Sequence, residues 1–278
     1  MFSIFDMPAM DRVRIRIIDA GAMTVGEEVY ASLTKRGRAD VLGFEAVAEE
    51  CAKLSAGADS NHRYLPYAVA DGRRRTLHVC ALPMTSSLYE PNRDLLDLYQ
   101  ALGDLVQVTS RIEMDTVRLD DIPEAHGADL LKMDVQGAEL DILAGAKEVL
   151  KEVLVVHAEV EFVPLYKDQP LFGDVDRELR NSGFYFHRFT AITGRALKPM
   201  LRDNDPLKQM GQMLWADAVY VRPPDRLHEL NALKLLKLAA LMHDVYAAPD
   251  YACRVLQHYD RQCGTCLWQS YFELLRKG

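Results

Sequence analysis

The sequence predicts an α/β fold, a doubly wound and mostly parallel sheet with a helical extension at its C-terminal end. Three observations carry that prediction. Apolar runs of strand length that end in an acidic residue recur along the chain, at VRIRIID (13–19), VLGFE (41–45), 64–71 and 128–134. A turn and a stretch of helical spacing follow most of these runs, which is the pattern of βα units feeding a parallel sheet. After Pro223-Pro224 only helical periodicity remains, so residues 1–224 are expected to form one domain and 225–278 an extension.

Taken in order, Val13, Ile15 and Ile17 alternate with arginines, and Val25 to Tyr30 opens a helix after a small-residue turn. The second strand covers 41–46, and VAEECAKLSA reads as the helix behind it. A third strand over 64–72 ends in Asp71-Gly72, which is turn chemistry. The middle is less regular: 75–82 reads as an extra strand, 94–103 as a helix and 106–119 as one or two strands. Regularity returns at 128–150, where an apolar strand runs to Asp134, Gln136-Gly137 turns the chain, and Leu140, Ile142 or Leu143, Ala146 and Leu150 make a helical stripe. Strands over 154–162 and 214–223 enclose a helix over 175–184 that Gly183 closes. Beyond the prolines, 227–246, 251–262 and 268–275 read as amphipathic helices. The stripe Leu233, Leu236 and Ala240, with His243 and Asp244 at its polar edge, needs a cover. That cover is either the domain itself or a second copy in a homodimer.

Composition narrows the function. The 33 basic and 41 acidic residues leave a net charge of −8, which disfavours nucleic acid as a partner, although Arg73, Arg74 and Arg75 form a local basic patch. No stretch is long and apolar enough to span a membrane. Asp6 and Asp11 interrupt the N-terminal region where a signal peptide would be apolar, and five scattered cysteines point to free thiols, so a cytoplasmic protein is expected. Cys253, His258, Cys263 and Cys266 are residue types that zinc prefers. On a helix, however, their spacing points them in different directions, and no metal site is predicted.

In an open parallel sheet, ligands bind at the carboxyl ends of the strands. Asp19, Glu45, Asp71, Asp134, Glu159 and Glu161 all fall at or just past such ends. A carboxylate closing the second strand can accept from both hydroxyls of a ribose, which suits Glu45. Gly21 and Gly26, beside Ala22, allow close backbone approach, yet the turn lacks the three glycines of a dinucleotide fingerprint, and no Tyr-x-x-x-Lys pair is found. Both points speak against a nicotinamide-dependent oxidoreductase. Glu159 and Glu161, two apart on a strand, face the same way and require water, a cation or a donor-rich substrate. His157, inside an apolar strand, reads more simply as a core histidine than as a base.

At LLKMDVQGAELDILAGA (130–146) the sequence resembles the FkbM family of S-adenosylmethionine-dependent methyltransferases, with its apolar strand, K-x-D-x-E/Q-G-x-E and a helix reaching L-x-G-A. TSSLYEPN (85–92), TVRLDDI (116–122), AEVEFVPLY (158–166), WADAVYVR (215–222) and the FEA turn extend the likeness over 13–222. The resemblance implies a seven-stranded class I, Rossmann-like sheet, S-adenosylmethionine as cofactor, and methyl transfer to a hydroxyl of a small molecule or a glycan sugar. It places Asp19, Gly21, Ala22 and Gly26 in the first cofactor loop, Glu45 at the ribose, Asp71 on the adenine side and Asp134 facing the methyl group. Candidate bases are Asp134 first, then Glu161, with His157 and Glu159 as the remaining supply. A divalent cation would serve the same end but is not predicted. The family's D-x-G-A-N-x-G loop is here Asp19-Ala-Gly21-Ala-Met23-Thr-Val-Gly26, a departure that keeps open a non-catalytic binding or scaffold protein of the same fold.

Overall fold

The computed structural model describes residues 2–23 and 26–277. Strands β1 (Ile15–Ala20), β2 (Ala39–Phe44) and β3 (His62–Leu65) alternate with helices α1 (Ala31–Lys35) and α2 (Ala48–Gly57). A two-stranded antiparallel ribbon follows, β4 (Arg74–Cys80) with β5 (Val108–Asp115), enclosing α3 (Arg93–Leu96) and α4 (Leu102–Leu105). The chain returns through β6 (Leu130–Met133), α5 (Glu139–Ala144), α6 (Val149–Glu152), β7 (Val155–Glu161), α7 (Phe172–Asn181), β8 (Tyr185–Thr193) and β9 (Trp215–Val221). Three helices end it: α8 (Ala232–Ala240), running into a π-turn at Leu241–Val245, then α9 (Pro249–Cys263) and α10 (Leu267–Lys277).

The main sheet has seven strands in the order β3-β2-β1-β6-β7-β9-β8. Pairings from β3 across to β7 are parallel, and those of β9 with β7 and β8 are antiparallel. The strand order reverses between β1 and β6, so a crevice opens where the chains leaving those two strands part. Central strands buried on both faces are largely apolar, as at Ile15, Ile17 and Ile18 in β1 and Leu130, Leu131 and Met133 in β6, the buried exceptions Asp19 and Lys132 pairing with each other.

Several elements differ from the sequence reading, each for an identifiable reason. Val25, with which the first helix was expected to open, lies outside the described residues, and the helix found begins at Ala31. The third strand stops at Leu65, because Pro66 has no N–H to continue the ladder, and only Val69 makes a further bridge, to Val117. The expected helix over 94–103 is two single turns parted at Ala101, whose φ of 64° breaks the helix. The edge strand β8 went unread. Register shifts at Phe186/Arg188 and Phe189/Ala191 destroy its period-two alternation.

The C-terminal segment packs on the sheet. Leu235, Leu238, Met242, Tyr246, Val255 and Leu256 join Ile15, Ile17, Val41, Leu130, Val155 and Val219 in one buried cluster. Each such side chain contributes about 1.5–3 kcal/mol on burial. Leu233, assigned to the buried stripe from sequence, is 51% exposed, and Leu235 and Leu238 take the inward positions instead. A polar clamp fixes α8: Asp129, fully buried ahead of β6, accepts from Lys234 at 2.9 Å and Lys237 at 2.7 Å. Asp260 caps α10 by accepting from Leu267 N and Trp268 N, each at 2.8 Å. Along α9 and the turn after it, Cys253 is half-buried and Cys263 and Cys266 are exposed.

Candidate functional site

At the reversal of strand order the backbone comes close. Gly21 has a φ of +79°, and a Cβ there would lie 1.9 Å from the Asp134 carbonyl oxygen. Only glycine lets the loop after β1 rest against the end of β6. Gly21 N and Ala22 N both donate to the Phe44 carbonyl at 3.0 Å, tying the same loop to β2. The loop thus bridges three strand ends, and Asp19, Glu45 and Asp134 issue from them.

Asp19 is fully buried and does not reach the crevice. It accepts from the Tyr30 hydroxyl at 2.5 Å and from Lys132 Nζ at 3.0 Å. Burial opposes the Lys132 charge, but Asp19, Asp134 and Glu28 more than offset it and hold the ammonium above its ordinary pKa. Glu28, which the sequence reading passed over, is half-buried beside this pair, and burial first and Asp19 next push its carboxyl up to about 7.

Two cavities open above the loop. The first encloses about 590 Å³ including its open mouth, and is lined by Gly21, Glu45, Val47, Ala68, Val69 and Asp134 among others. Glu45 lies on its wall, with Oε1 accepting from Val47 N at 2.8 Å. Burial raises its pKa, and the Val47 bond partly counters this. The second cavity, about 810 Å³, has Asp134, Glu159 and Glu161 at its polar end and Leu96, Leu102 and Leu105 on its apolar wall. Asp134 lines both cavities.

Gln136 organises the polar end. Its Nε2 donates to Asp134 Oδ1 at 3.1 Å and to Glu159 Oε2 at 2.6 Å, while its Oε1 lies 2.9 Å from the Tyr166 hydroxyl. The residue has a φ of 57°, a left-handed conformation costly for a non-glycine side chain, and the Ser87 hydroxyl holds it by donating to its carbonyl at 2.6 Å. Burial and the surrounding carboxylates push Glu159 well above the usual carboxylate range, and Glu161 is raised in the same way. Among the described residues, no group of three or more His, Cys, Asp or Glu could hold a metal ion. No helix among them is long and apolar enough to cross a membrane.

A family model described as the Methyltransferase FkbM domain matches residues 19–186, more than half of the chain. The chain belongs to the FkbM methyltransferase family. A curated relative, 2-O-methyltransferase NoeI of Sinorhizobium fredii, is 36% identical over 97 residues, which are 34% of this chain and 38% of that protein. The chain thus spans well under half the length of that relative. Among solved structures, a 16S rRNA (adenine) methyltransferase of Catenulisporales acidiphilia is 11% identical with a TM-score of 0.38, covering 77% of this chain and 90% of that one. The 23S rRNA methyltransferase ErmE is 14% identical with a TM-score of 0.37, covering 92% and 96%. Together with the family match, the seven-stranded, mostly parallel sheet makes this a class I, Rossmann-like FkbM fold.

Within this FkbM domain, the residues picked from sequence divide. Gly21, Glu45, Asp134, Glu159 and Glu161 line the two cavities. Asp19 and Ala22 are buried behind the loop, and Gly26 is exposed and lines neither cavity. Asp71 does not line the first cavity: it accepts from Arg73 N at 3.1 Å and approaches Arg75, whereas Ala68 and Val69 do line it. His157 also lines neither cavity. It shares a strand face with Glu159 and Glu161 but sits nearer the amino end, where the C-terminal segment covers the sheet, and its ring lies 6.0 Å from that of Tyr246. Gln136, Tyr166 and Ser87 were missed, because their roles depend on loops brought together in space.

Glu139, only 1% exposed, holds the turn after β6 by accepting from Val135 N at 2.9 Å. Burial pushes its carboxyl up to about 7. An acid whose folded pKa is raised binds more protons folded than unfolded, so its contribution is full below the unfolded value and is lost as pH rises toward 7. Glu139→Gln is therefore expected to flatten the fall in Tm between pH 5 and pH 8 by a few degrees, as read by thermal denaturation across that range.

Proposed function

We propose that this protein is an S-adenosylmethionine-dependent O-methyltransferase that acts on a hydroxyl of a small molecule or a glycan sugar. One observation carries the reading: Asp134 lines two adjoining cavities, one with Glu45 and the other with Glu159 and Glu161. The FkbM membership and the name of the curated relative, a 2-O-methyltransferase, support the reaction type.

The residues present fit the cofactor. The first cavity offers a buried carboxylate whose Oε2 accepts no hydrogen bond from the described residues, so Glu45 can take both ribose hydroxyls. Val47, Ala68 and Val69 form an apolar slot for a base. When bound, S-adenosylmethionine supplies a methyl group on a positively charged sulfonium that an oxygen can displace in line. The protein's own task is then to position that oxygen and take its proton. Asp134, between the two cavities, is the residue placed to accept it. Gln136 holds that carboxylate in orientation, and Glu159 and Glu161, raised above the ordinary range, remain available as donors to other oxygens of the acceptor.

Calorimetry tests the first half of the reading. S-adenosylmethionine is expected to bind where NAD does not, and Glu45→Ala to weaken it by about 10–100-fold, the effect of losing two charge-assisted hydrogen bonds. Transfer of a labelled methyl group to a panel of hydroxylated acceptors tests the second half. Cofactor binding without transfer to any of them would favour the non-catalytic reading.

A further inference from the structure

The second cavity contains one group that the proposed methyl transfer leaves unused. Arg195, just past β8, lies over the Trp215 ring with its guanidinium carbon 5.1 Å from the centroid. Its Nη1 donates to the Gly194 carbonyl at 2.8 Å, and its Nε is buried without a hydrogen-bond partner among the described residues. No ion pair to Arg195 forms among those residues. Arg75 reaches Asp141 at 2.8 Å, and Arg222, over the Phe184 ring, donates to the carbonyls of Val153 at 2.8 Å and Lys151 at 3.1 Å; Arg188 also has a buried Nε without a partner among the described residues, but it lines neither cavity. An unsatisfied donor on a partly buried cation is costly, and an anion in the cavity that Arg195 lines would offset part of the cost of burying its charge.

The cavity is therefore polarised. Its wall includes Asp134, Glu159 and Glu161 as well as Arg195, which lies over Trp215, with Leu96 and Leu102 among its apolar lining. The Asp134 carboxylate repels an anion from the methyl-transfer end and the guanidinium attracts it, so charge favours one way for an acceptor to enter. We propose that Arg195 anchors an anionic group on the acceptor, which makes the acceptor class a hydroxylated molecule, above all a sugar, carrying a carboxylate or a phosphate. This rests on reading the cavity as the acceptor site. Arg195 acts as a substrate-anchoring residue and takes no part in the proton transfer. A carboxylate and a phosphate ester both match its forked donors.

Trp215 is a built-in reporter. The chain has two tryptophans, and Trp268→Phe leaves Trp215 as the one indole. In that background the emission is titrated with glucuronate, glucose 6-phosphate and glucose. One or both anions are expected to shift it saturably with a Kd about tenfold or more below that of glucose. Preference for glucuronate assigns a carboxylate, and preference for glucose 6-phosphate a phosphoryl group. Arg195→Met is expected to abolish the difference and Arg195→Lys to retain part of it, with Arg195→Gln as the second neutral variant. Equal titration by glucose, no titration by either anion, or an unchanged preference in the neutral variants overturns the proposal. Emission reads occupancy and not turnover, so the two readings fail separately. Anion preference without methyl transfer would overturn the O-methyl reading alone, and methyl transfer to neutral sugars without anion preference would overturn the anchoring role alone.

Discussion

Asp134→Ala is expected to lower methyl transfer by about 10²–10⁴-fold, the range for removal of a positioned base, while S-adenosylmethionine affinity stays within a few-fold. The separation follows from the geometry. Asp134 lines both cavities, whereas Glu45 and the Gly21 loop, which would hold the cofactor, stand on other strand ends. Gln136 would keep its bond to Glu159, so the polar end retains one anchor. Single-turnover transfer of a labelled methyl group, beside a calorimetric Kd, reads both quantities. Unchanged turnover would remove Asp134 from the proton transfer and leave Glu161 as the next candidate.

Lys132→Met is expected to cost about 3–5 kcal/mol of stability, the penalty for stranding a buried charge. Asp19 has no solvent to turn to, being fully buried, and would keep only the Tyr30 hydroxyl as a partner. Tm should fall by about ten degrees. The double variant Asp19→Leu with Lys132→Met should recover a good part of that loss, since no charge is then left unpaired. A double-mutant cycle by urea denaturation measures the coupling, and additive losses would show that the pair is not the source of the penalty.

How far the sequence revealed all this depended on the kind of signal. Asp19, Glu45 and Asp134 stand out because each closes a mostly apolar run of strand length at or just past its end. The pair Glu159 and Glu161 follows from the two-residue period of a strand. Asp71 satisfied the same rule yet serves its own turn, because Asp-Gly is turn chemistry before it is anything else, and Arg73 and Arg75 lie within reach. His157 shows the limit of face arguments: it shares a face with two cavity residues, but depth along the strand decides exposure. Gln136, Ser87, Tyr166 and Arg195 act across long separations in sequence, and no local pattern marks them. β8 was lost because its bulges erase the alternation by which an edge strand is recognised.

The clamp of Asp129 by Lys234 and Lys237 bears on where the molecule can be cut. The family match ends at residue 186, but much of the layer over one side of the sheet comes from residues after 230. A fragment trimmed to the recognisable region would lose β9 from the sheet, bare Ile15, Ile17 and Val155 to water, and leave Asp129 without its two cations. Such a piece would clump rather than fold, so expression work on this chain has to keep its unfamiliar end.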